Sequence, residues 1–246
     1  MKQSIFNSAL RLTLLTLFVS TLHSCIYINT RDNDIPPRGV TSKEIDLINF
    51  DGISLGNAFV IHVSQGNEFQ IRATGELNDL DDLDARVTRS GVLEIRYRNT
   101  WRARRERMEI DIVMPDLRSA DFSGASVSSI QGFSSLPSLD LILSGASKLT
   151  YTGSVRNLDI NLSGASELDI AGAGSSLSGE MSGASQLYAF DYEVSNADLV
   201  LSGASRARVL VTDLLKIDAS GASNLRYRGT PTVDQRLSGG STLIRE

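Results

Sequence analysis

Apolar and polar residues alternate along the second half of the chain in short runs that end in a recurring four-residue phrase. Before one copy of the phrase, Leu158, Ile160 and Leu162 alternate with Asp159 and Asn161. Alternation with a period of two is typical of a β-strand with one buried face. In five copies a further apolar residue lies two positions after the phrase, namely Leu149, Leu168, Leu187, Leu225 and Leu243. The pattern therefore predicts a short strand on each side of the phrase.

The phrase is Ser-Gly-Ala-Ser in six copies and Ser-Gly-Gly-Ser in the last, and successive copies start 18 to 21 residues apart. Repetition at this step predicts a stack of similar units, each of which buries its apolar face against its neighbours. A glycine followed by a small residue favours a tight corner. The alternation of inward and outward positions alone would also allow the strand to continue through the phrase. The predicted corner glycines are Gly124, Gly145, Gly164, Gly183, Gly203, Gly221 and Gly239.

The length of the repeat selects among the repeat folds. A propeller blade needs about 40 residues and a helical repeat about 33 or more. Leucine-rich repeats have about 20 to 29 residues but require an Asn after the strand and a helical return, which the short segments between these strands do not offer. The sequence predicts an all-β, right-handed parallel β-helix, a β-solenoid with about seven coils of 18 to 21 residues. The right hand follows from the general preference of parallel crossovers.

The first half of the chain is strand-rich but lacks the phrase. Alternating runs over 59–63, 69–73, 92–97 and 108–114 predict strands separated by turns. We expect residues 41–122 to form irregular opening coils, or a small sheet, that cap the first edge of the repeats in 123–246. Both parts together are predicted to form a single domain over 41–246.

The N-terminus is predicted to carry an export signal. Residues 1–24 contain Lys2 and Arg11 and an apolar run too short to span a bilayer. The following Leu22-His23-Ser24-Cys25 resembles the lipobox of bacterial lipoproteins, although His23 stands where a small residue is usual. We therefore expect residues 1–24 to be a lipoprotein signal peptide and Cys25 to be lipidated; the alternative is a buried free thiol.

The segment after the cysteine is predicted to be a flexible tether. Residues 25–40 contain two prolines and several Asn and Asp residues without apolar periodicity. Cys25 is the single cysteine of the chain, so an intrachain disulfide is excluded. Removal of Lys2 and Arg11 with the signal changes the net charge from −5 to −7, which argues against nucleic acid as a partner.

Several segments of the chain together resemble a known family. They are Phe59-Val60-Ile61-His62-Val63 with Gln65-Gly66, Gly91-Val92-Leu93-Glu94-Ile95, Val113-Met114-Pro115-Asp116-Leu117 and the Ser-Gly-Ala-Ser series. These features are similar to those of the putative auto-transporter adhesin family with a head GIN domain, a group of Bacteroidetes envelope proteins. The resemblance extends from about Ile45 to Leu243. It implies a β-helical fold, an envelope location and an adhesive role, and it supplies no catalytic residue.

The residue types offer little for catalysis or metal binding. His62 is the single histidine after the signal, and its parity places it on the outer side of its strand. The chain lacks a nucleophile-elbow motif, and its Cys and His count excludes zinc sites of the Cys/His type. An acidic cluster could hold Ca²⁺, but without EF-hand spacing a solvated loop or helix start is expected. The cluster consists of Asp79, Asp81, Asp82 and Asp84. We expect no catalytic residue, no metal and no cofactor.

One basic and aromatic segment is a candidate for ligand contact. Arginine forks bind anions and aromatic rings lie against sugar faces, so the segment could meet sulfated or uronic glycans or lipopolysaccharide phosphates. The alternative is a solvated hairpin rim balanced by Glu94, Glu106 and Glu109. The candidate contact residues are Tyr97, Trp101, Arg102, Arg104, Arg105 and Arg107.

Three hypotheses of function follow. The first is a non-enzymatic envelope protein, anchored by lipid to the outer membrane on its periplasmic face or at the cell surface, that binds glycans or another envelope protein. The second is a polysaccharide-active enzyme on a β-helix, for which Asp159, Asn161, Asp198 and Asp218 offer no clear cluster. The third is an assembly module that forms homo-oligomers through its terminal coil, near Leu243 and Ile244.

Overall fold

Each copy of the phrase forms a tight turn between two strands. In the computed structural model, which describes residues 36–100, 102 and 104–246, the corner glycines have φ between +67° and +77°. Only glycine adopts this left-handed region without steric cost. The corners stack directly, because the amide of Ala165 donates to the carbonyl oxygen of Gly145 at 2.7 Å and each other pair of successive repeat corners is joined by the equivalent bond. The preference for a bend over a continued strand is thus correct.

The described residues contain seventeen strands and one short helix. The strands of the first half are β1 (Val40–Glu44), β2 (Gly52–Leu55), β3 (Val60–Gln65), β4 (Gln70–Glu76), β5 (Leu83–Val87), β6 (Val92–Tyr97), β7 (Glu109–Met114), β8 (Ser119–Phe122) and β9 (Val127–Gln131), with helix α1 (Leu77–Asp81) between β4 and β5. The strands of the second half are β10 (Leu136–Leu143), β11 (Lys148–Leu162), β12 (Glu167–Met181), β13 (Gln186–Leu201), β14 (Arg206–Ala219), β15 (Asn224–Arg228), β16 (Thr232–Leu237) and β17 (Thr242–Arg245).

The solenoid has two main sheets that meet at the corners. Face A consists of β2, β6, β8, β10 and β16 with the C-terminal parts of β11–β14. Face B consists of β3, β7, β9, β15 and β17 with the N-terminal parts of β11–β14. All these pairings are parallel. The predicted all-β solenoid of about seven coils is therefore confirmed.

The core is a set of apolar columns that run along the stack. On face B, Leu149, Leu168 and Leu187 occupy the same register in successive coils and are nearly or fully buried. In the first six copies the last Ser of the phrase also points inward and is buried. The Ser147 hydroxyl donates to the Ser144 carbonyl at 2.9 Å, and the equivalent bond is present in three later copies, at Ser205, Ser223 and Ser241. Every coil thus buries its apolar side only through its neighbours.

The first half of the chain builds both opening coils and a cap. The layer of β6 and β7 lies outside that of β2 and β3, which is followed by β8 and β9 and then by β10 and β11. Antiparallel β5 covers β6, antiparallel β4 covers β7, and β1 pairs with β4. These strands occupy the N-terminal sheet edges, which would otherwise be open to pairing with other chains.

Pro37–Glu246 forms one compact unit. The predicted signal peptide, most of the predicted tether and Cys25 lie outside the described residues. No helix in the part of the chain that the structure describes has the length and apolar character needed to cross a membrane.

Candidate functional site

The basic segment between β6 and β7 is folded inward against α1. The guanidinium of Arg105 lies 3.0 Å from a carboxylate oxygen of Asp79 and also pairs with Asp82, and the guanidinium of Arg102 lies 3.1 Å from Asp79. The Arg102 and Arg105 side chains are only 15% and 13% exposed, and that of Asp79 is 2% exposed. Opposite charges in a poorly solvated site neutralise one another, so these arginines hold the segment in place.

Tyr97 belongs to the core of the same region. The Arg105 guanidinium lies 3.5 Å from the centre of the Tyr97 ring, and the ring of Phe59 meets it edge-on at 5.0 Å. Burial raises the pKa of the Tyr97 hydroxyl, and the negative charge of Asp79 raises it further. The side chain is buried and does not face a ligand from solution.

The structure divides the predicted contact residues between the interior and the surface. Tyr97, Arg102 and Arg105 are internal, whereas Arg104 and Arg107 are exposed. Trp101 lies outside the described residues. These side chains do not form one continuous surface, because the acidic start of α1 pairs with the arginines nearest to it.

The acidic cluster also differs from the expected solvated loop. Glu76 caps α1 by accepting a hydrogen bond from the amide of Asn78, so the expected helix start is present. Asp79 and Asp82 are buried and ion-paired, so the prediction of a solvated cluster is wrong for these two. Asp81 is exposed and pairs with Arg38.

A second basic region lies on the outer side of face B in the last coils. In β14, Ala207 is buried and its neighbours Arg206 and Arg208 are exposed, as strand alternation requires. The next coil repeats this arrangement in β15, and aromatic side chains of β13 lie on the other side of β14. We name this region the arginine–aromatic patch, which comprises Tyr188, Phe190, Arg206, Arg208, Arg226 and Arg228.

Aromatic rings and one carboxylate orient the patch arginines. The guanidinium of Arg228 lies 4.1 Å from the centre of the Phe190 ring, and that of Arg208 lies 5.2 Å from the Tyr188 ring. Glu246 pairs with Arg226 at 2.9 Å and with Arg228 at 3.4 Å. The hydrogen bond from Arg226 lowers the pKa of Glu246.

The patch keeps an excess of positive charge. Among the described residues, Arg206 and Arg208 have no carboxylate within ion-pair distance, and Glu246 is shared by the other two arginines. A groove of about 440 Å³ runs between Arg206, Arg208 and Arg226 and reaches Asn224 and Thr242. The groove therefore offers charged and neutral hydrogen-bond donors beside half-buried aromatic rings.

The sequence indicates this patch only when successive coils are aligned with one another. Arg206 and Asn224 each occupy the first position after the phrase, and Arg208 and Arg226 each occupy the third. Both positions face outward, since the position between them is apolar in each coil. Alignment of the coils in register would have placed the arginines in adjacent columns.

Two of the outward carboxylates of face A, Asp159 and Asp198, lie on strands that are not adjacent. Asp159 accepts a hydrogen bond from Ser178 at 2.7 Å, and Asp198 pairs with Lys216 at 2.9 Å. The register places Ser178 between Asp159 and Asp198. A paired acid and base facing one groove, as glycoside hydrolysis requires, is not formed by these two residues.

His62 is exposed on β3, on the outer side as predicted from its parity. Its Nδ1 lies 2.8 Å from the Ser129 hydroxyl oxygen on β9, and its Nε2 lies 3.3 Å from a carboxylate oxygen of Glu109 on β7. Asp111 is its direct partner in the register of β7. The sequence could not reveal this cluster, because its members come from three strands distant in the chain.

Crystal structures of other proteins share this fold. A putative adhesin from Bacteroides fragilis is 16% identical with a TM-score of 0.78, and the match covers 85% of this chain and 97% of that one. A putative adhesin from Parabacteroides merdae is 18% identical with a TM-score of 0.70, covering 84% and 96%. A putative lipid binding protein from Parabacteroides distasonis is 16% identical with a TM-score of 0.67, covering 85% and 98%. At these identities the likeness shows the fold alone.

Comparison with curated protein sequences finds no match. The sequence profile of one family, described as "Putative auto-transporter adhesin, head GIN domain", matches residues 49–231. This match covers most of the chain and agrees with the resemblance found in the strands and corners. The chain therefore belongs to the putative auto-transporter adhesin family with a head GIN domain.

Proposed function

We propose that the protein is a lipid-anchored adhesin of the bacterial envelope that binds anionic glycans through the arginine–aromatic patch. Family membership and the solenoid fold support an adhesin-like role without catalysis. The glycan class rests on one observation, the excess of guanidinium groups beside half-buried aromatic rings on face B.

The chemistry of the patch suits acidic sugars. A guanidinium donates two parallel hydrogen bonds to a carboxylate or sulfate, and an aromatic ring can lie against the apolar face of a sugar. Neighbouring coils lie about 4.8 Å apart, and alternate residues of one strand about 7 Å apart. Arg206, Arg208 and Arg226 thus form a flat array of donors that an extended chain of uronic or sulfated sugars could follow.

The binding test compares two double variants with the same loss of charge. Residues 37–246, which contain the whole described core, are applied to an array of neutral, uronic and sulfated glycans. Arg206→Ser with Arg208→Ser should weaken binding to acidic glycans at least about tenfold, and binding should fall with rising salt. The matched control is Arg104→Ser with Arg107→Ser in the basic segment, which should bind as the unaltered protein does.

Three results would contradict the proposed glycan site. If only the Arg104→Ser, Arg107→Ser variant lost binding, the glycan site would lie in the basic segment. Absence of any glycan binding by the unaltered protein would remove the glycan ligand. Shortened glycan products would support the polysaccharide-active enzyme instead.

The lipid anchor is tested separately at Cys25. In the proposed protein, the mature chain begins at Cys25 with an acylated amino terminus, and residues 25–40 act as a tether. Mass spectrometry of the membrane-extracted protein should show the acyl mass on the peptide that contains Cys25, and Cys25→Ser should release the protein from the membrane fraction. Membrane retention of the Cys25→Ser variant would contradict the anchor.

Self-association through the last coil is a second candidate. Within the described residues β16 pairs with β14 and β17 with β15, and their outer edges carry Leu237 and Ile244, which are 41% and 42% exposed. Such an edge can pair with another strand. Sedimentation velocity over a dilution series should show dimers that Ile244→Lys disrupts; monomers at the highest concentration would exclude this assembly.

A further inference from the structure

Three metal-ligand side chains meet on face B near the N-terminal cap, away from the arginine–aromatic patch. One ligand atom from each of His62, Glu109 and Asp111 lies within 4.8 Å of the other two. His62 is on β3, and the carboxylates are two residues apart on the neighbouring β7, so both point outward with the imidazole. The rigid ladder between these strands fixes the spacing of the three side chains.

The imidazole is oriented by a hydrogen bond on its other nitrogen. Nδ1 of His62 lies 2.8 Å from the hydroxyl oxygen of Ser129, which is the direct register partner of His62 on β9. When Nδ1–H donates to this oxygen, the lone pair of Nε2 points toward the carboxylates. Metal-binding histidines commonly have such a donor bond from the second nitrogen, which sets the tautomer and the ring orientation.

The distance on the carboxylate side fits a shared metal ion. Nε2 of His62 and Oε1 of Glu109 are 3.3 Å apart. In the tautomer with the proton on Nδ1, two lone-pair atoms face each other at this distance and repel, and a cation between them removes the repulsion. A proton would favour the shorter contact of about 2.7 to 2.9 Å that charge-assisted hydrogen bonds adopt. Two ligands of a tetrahedral ion with bonds of about 2.0 to 2.1 Å are about 3.3 Å apart.

His62, Glu109 and Ser129 do not match the catalytic triad of a serine hydrolase. In a catalytic triad the acid holds Nδ1 and the serine hydroxyl faces Nε2. Here Ser129 faces Nδ1 and Glu109 faces Nε2, which is the reverse arrangement. The amides of the surrounding strands are engaged in the ladder, so they do not converge into an oxyanion hole.

We propose that His62, Glu109 and Asp111 bind a divalent transition metal of the zinc class. Two carboxylates and one neutral imidazole balance the charge of the ion, and three protein ligands leave a fourth position for water or an incoming carboxylate. Arg72 is the register partner of Asp111 on β4, but its guanidinium is held at 2.6 Å by Glu44. The site lies on the same face as the arginine–aromatic patch but uses none of its residues.

The test follows the single imidazole of the folded unit during titration with Zn²⁺. Residues 37–246, purified without a histidine tag, contain His62 as their single histidine, so its ring nitrogen resonances in ¹⁵N NMR report coordination directly. Zn²⁺ should shift the Nε2 resonance to the metal-bound range. Glu109→Gln and Asp111→Asn should each weaken binding more than about tenfold, and Ser129→Ala about tenfold.

A matched control separates this site from general attraction of cations to surface carboxylates. Asp169 is exposed on face B and faces outward in the same column of residues, two coils beyond Ser129. Asp169→Asn should bind Zn²⁺ as the unaltered protein does. An Nε2 resonance that stays unshifted at a tenfold excess of Zn²⁺ would overturn the proposal, and so would equal weakening by Asp169→Asn. A protonated ring with unchanged shifts would overturn it too and would assign the contact to an ion pair with Glu109.

Discussion

Substitution of Gly164 by alanine should strongly destabilise the solenoid. A Cβ on Gly164 would lie 2.5 Å from the carbonyl oxygen of Gly145 in the preceding coil, which is closer than real Cβ contacts. The residue also has φ of +74°, a conformation that costs an L-residue about 1 to 2 kcal/mol. Relief of the contact requires separation of two corners that are joined by the bond from Ala165 to Gly145.

The magnitude follows from these contributions. Weakening of this backbone hydrogen bond costs about 0.5 to 1.5 kcal/mol. Overpacking of a tight site costs about 1 to 3 kcal/mol. Together with the backbone conformation, we expect Gly164→Ala to lower the free energy of unfolding by about 3 to 5 kcal/mol. Gly164→Val should cost more, since the β-branched side chain adds volume at the same contact.

The assay separates the backbone conformation from the contact. Gly39 has φ of +96° and open space where a Cβ would lie, so Gly39→Ala incurs the conformational cost alone. Ala165→Ser changes an exposed residue of the same corner and should be nearly neutral. Urea unfolding followed by circular dichroism and by fluorescence gives the free energies and shows whether the coils unfold together. Equal losses for Gly164→Ala and Gly39→Ala would refute the role of the contact between corners.

Three further predictions concern buried polar groups. Asp79→Asn should lower the free energy of unfolding by about 3 kcal/mol, because it leaves two poorly exposed arginines short of a counter-charge; Asp81→Asn, which removes an exposed ion pair, should cost less than about 1 kcal/mol in the same denaturation assay. Ser147→Ala should cost about 1 kcal/mol through loss of its bond to the Ser144 carbonyl, whereas Ser166→Ala should change stability by less than about half of that, because no bond holds its buried hydroxyl within the described residues; equal costs in calorimetry would contradict this difference. Burial raises the pKa of the Tyr151 hydroxyl, so the folded state retains a proton that the unfolded chain releases above pH of about 10, and stability should fall by about 1.4 kcal/mol per pH unit for this group; Tyr151→Phe should flatten the alkaline unfolding curve, and an unchanged slope would contradict the assignment.

The repeated half of the fold could be predicted from the sequence because its information is local. Alternation around residues such as Leu158 and Leu168 shows the strands, and the spacing of the phrase shows the number of coils. The corner was favoured from residue size alone, and the stacked glycines bear this out.

The rest of the structure depends on which distant segments meet. The ion pairs of Asp79 with Arg102 and Arg105 join two charged segments that were each expected at the surface. The sequence of either segment alone does not show that a segment of opposite charge packs against it. The arrangement of His62 between β7 and β9 has the same cause, since strand order in the first half does not follow chain order. The register between coils, which places Arg208 beside Arg226, could have been derived from the spacing of the repeated phrase.

The order of layers in the first half has a consequence for the order in which the chain folds. β2 and β3 lie between the layer of β6 with β7 and that of β8 with β9, so their second neighbouring layer is complete only when the chain has been synthesised to about residue 131. After that point each new coil adds to a completed edge and forms contacts mainly with the coil before it. We therefore expect a slow step in which the capped layers assemble as a template, followed by rapid growth of the repeats one coil at a time.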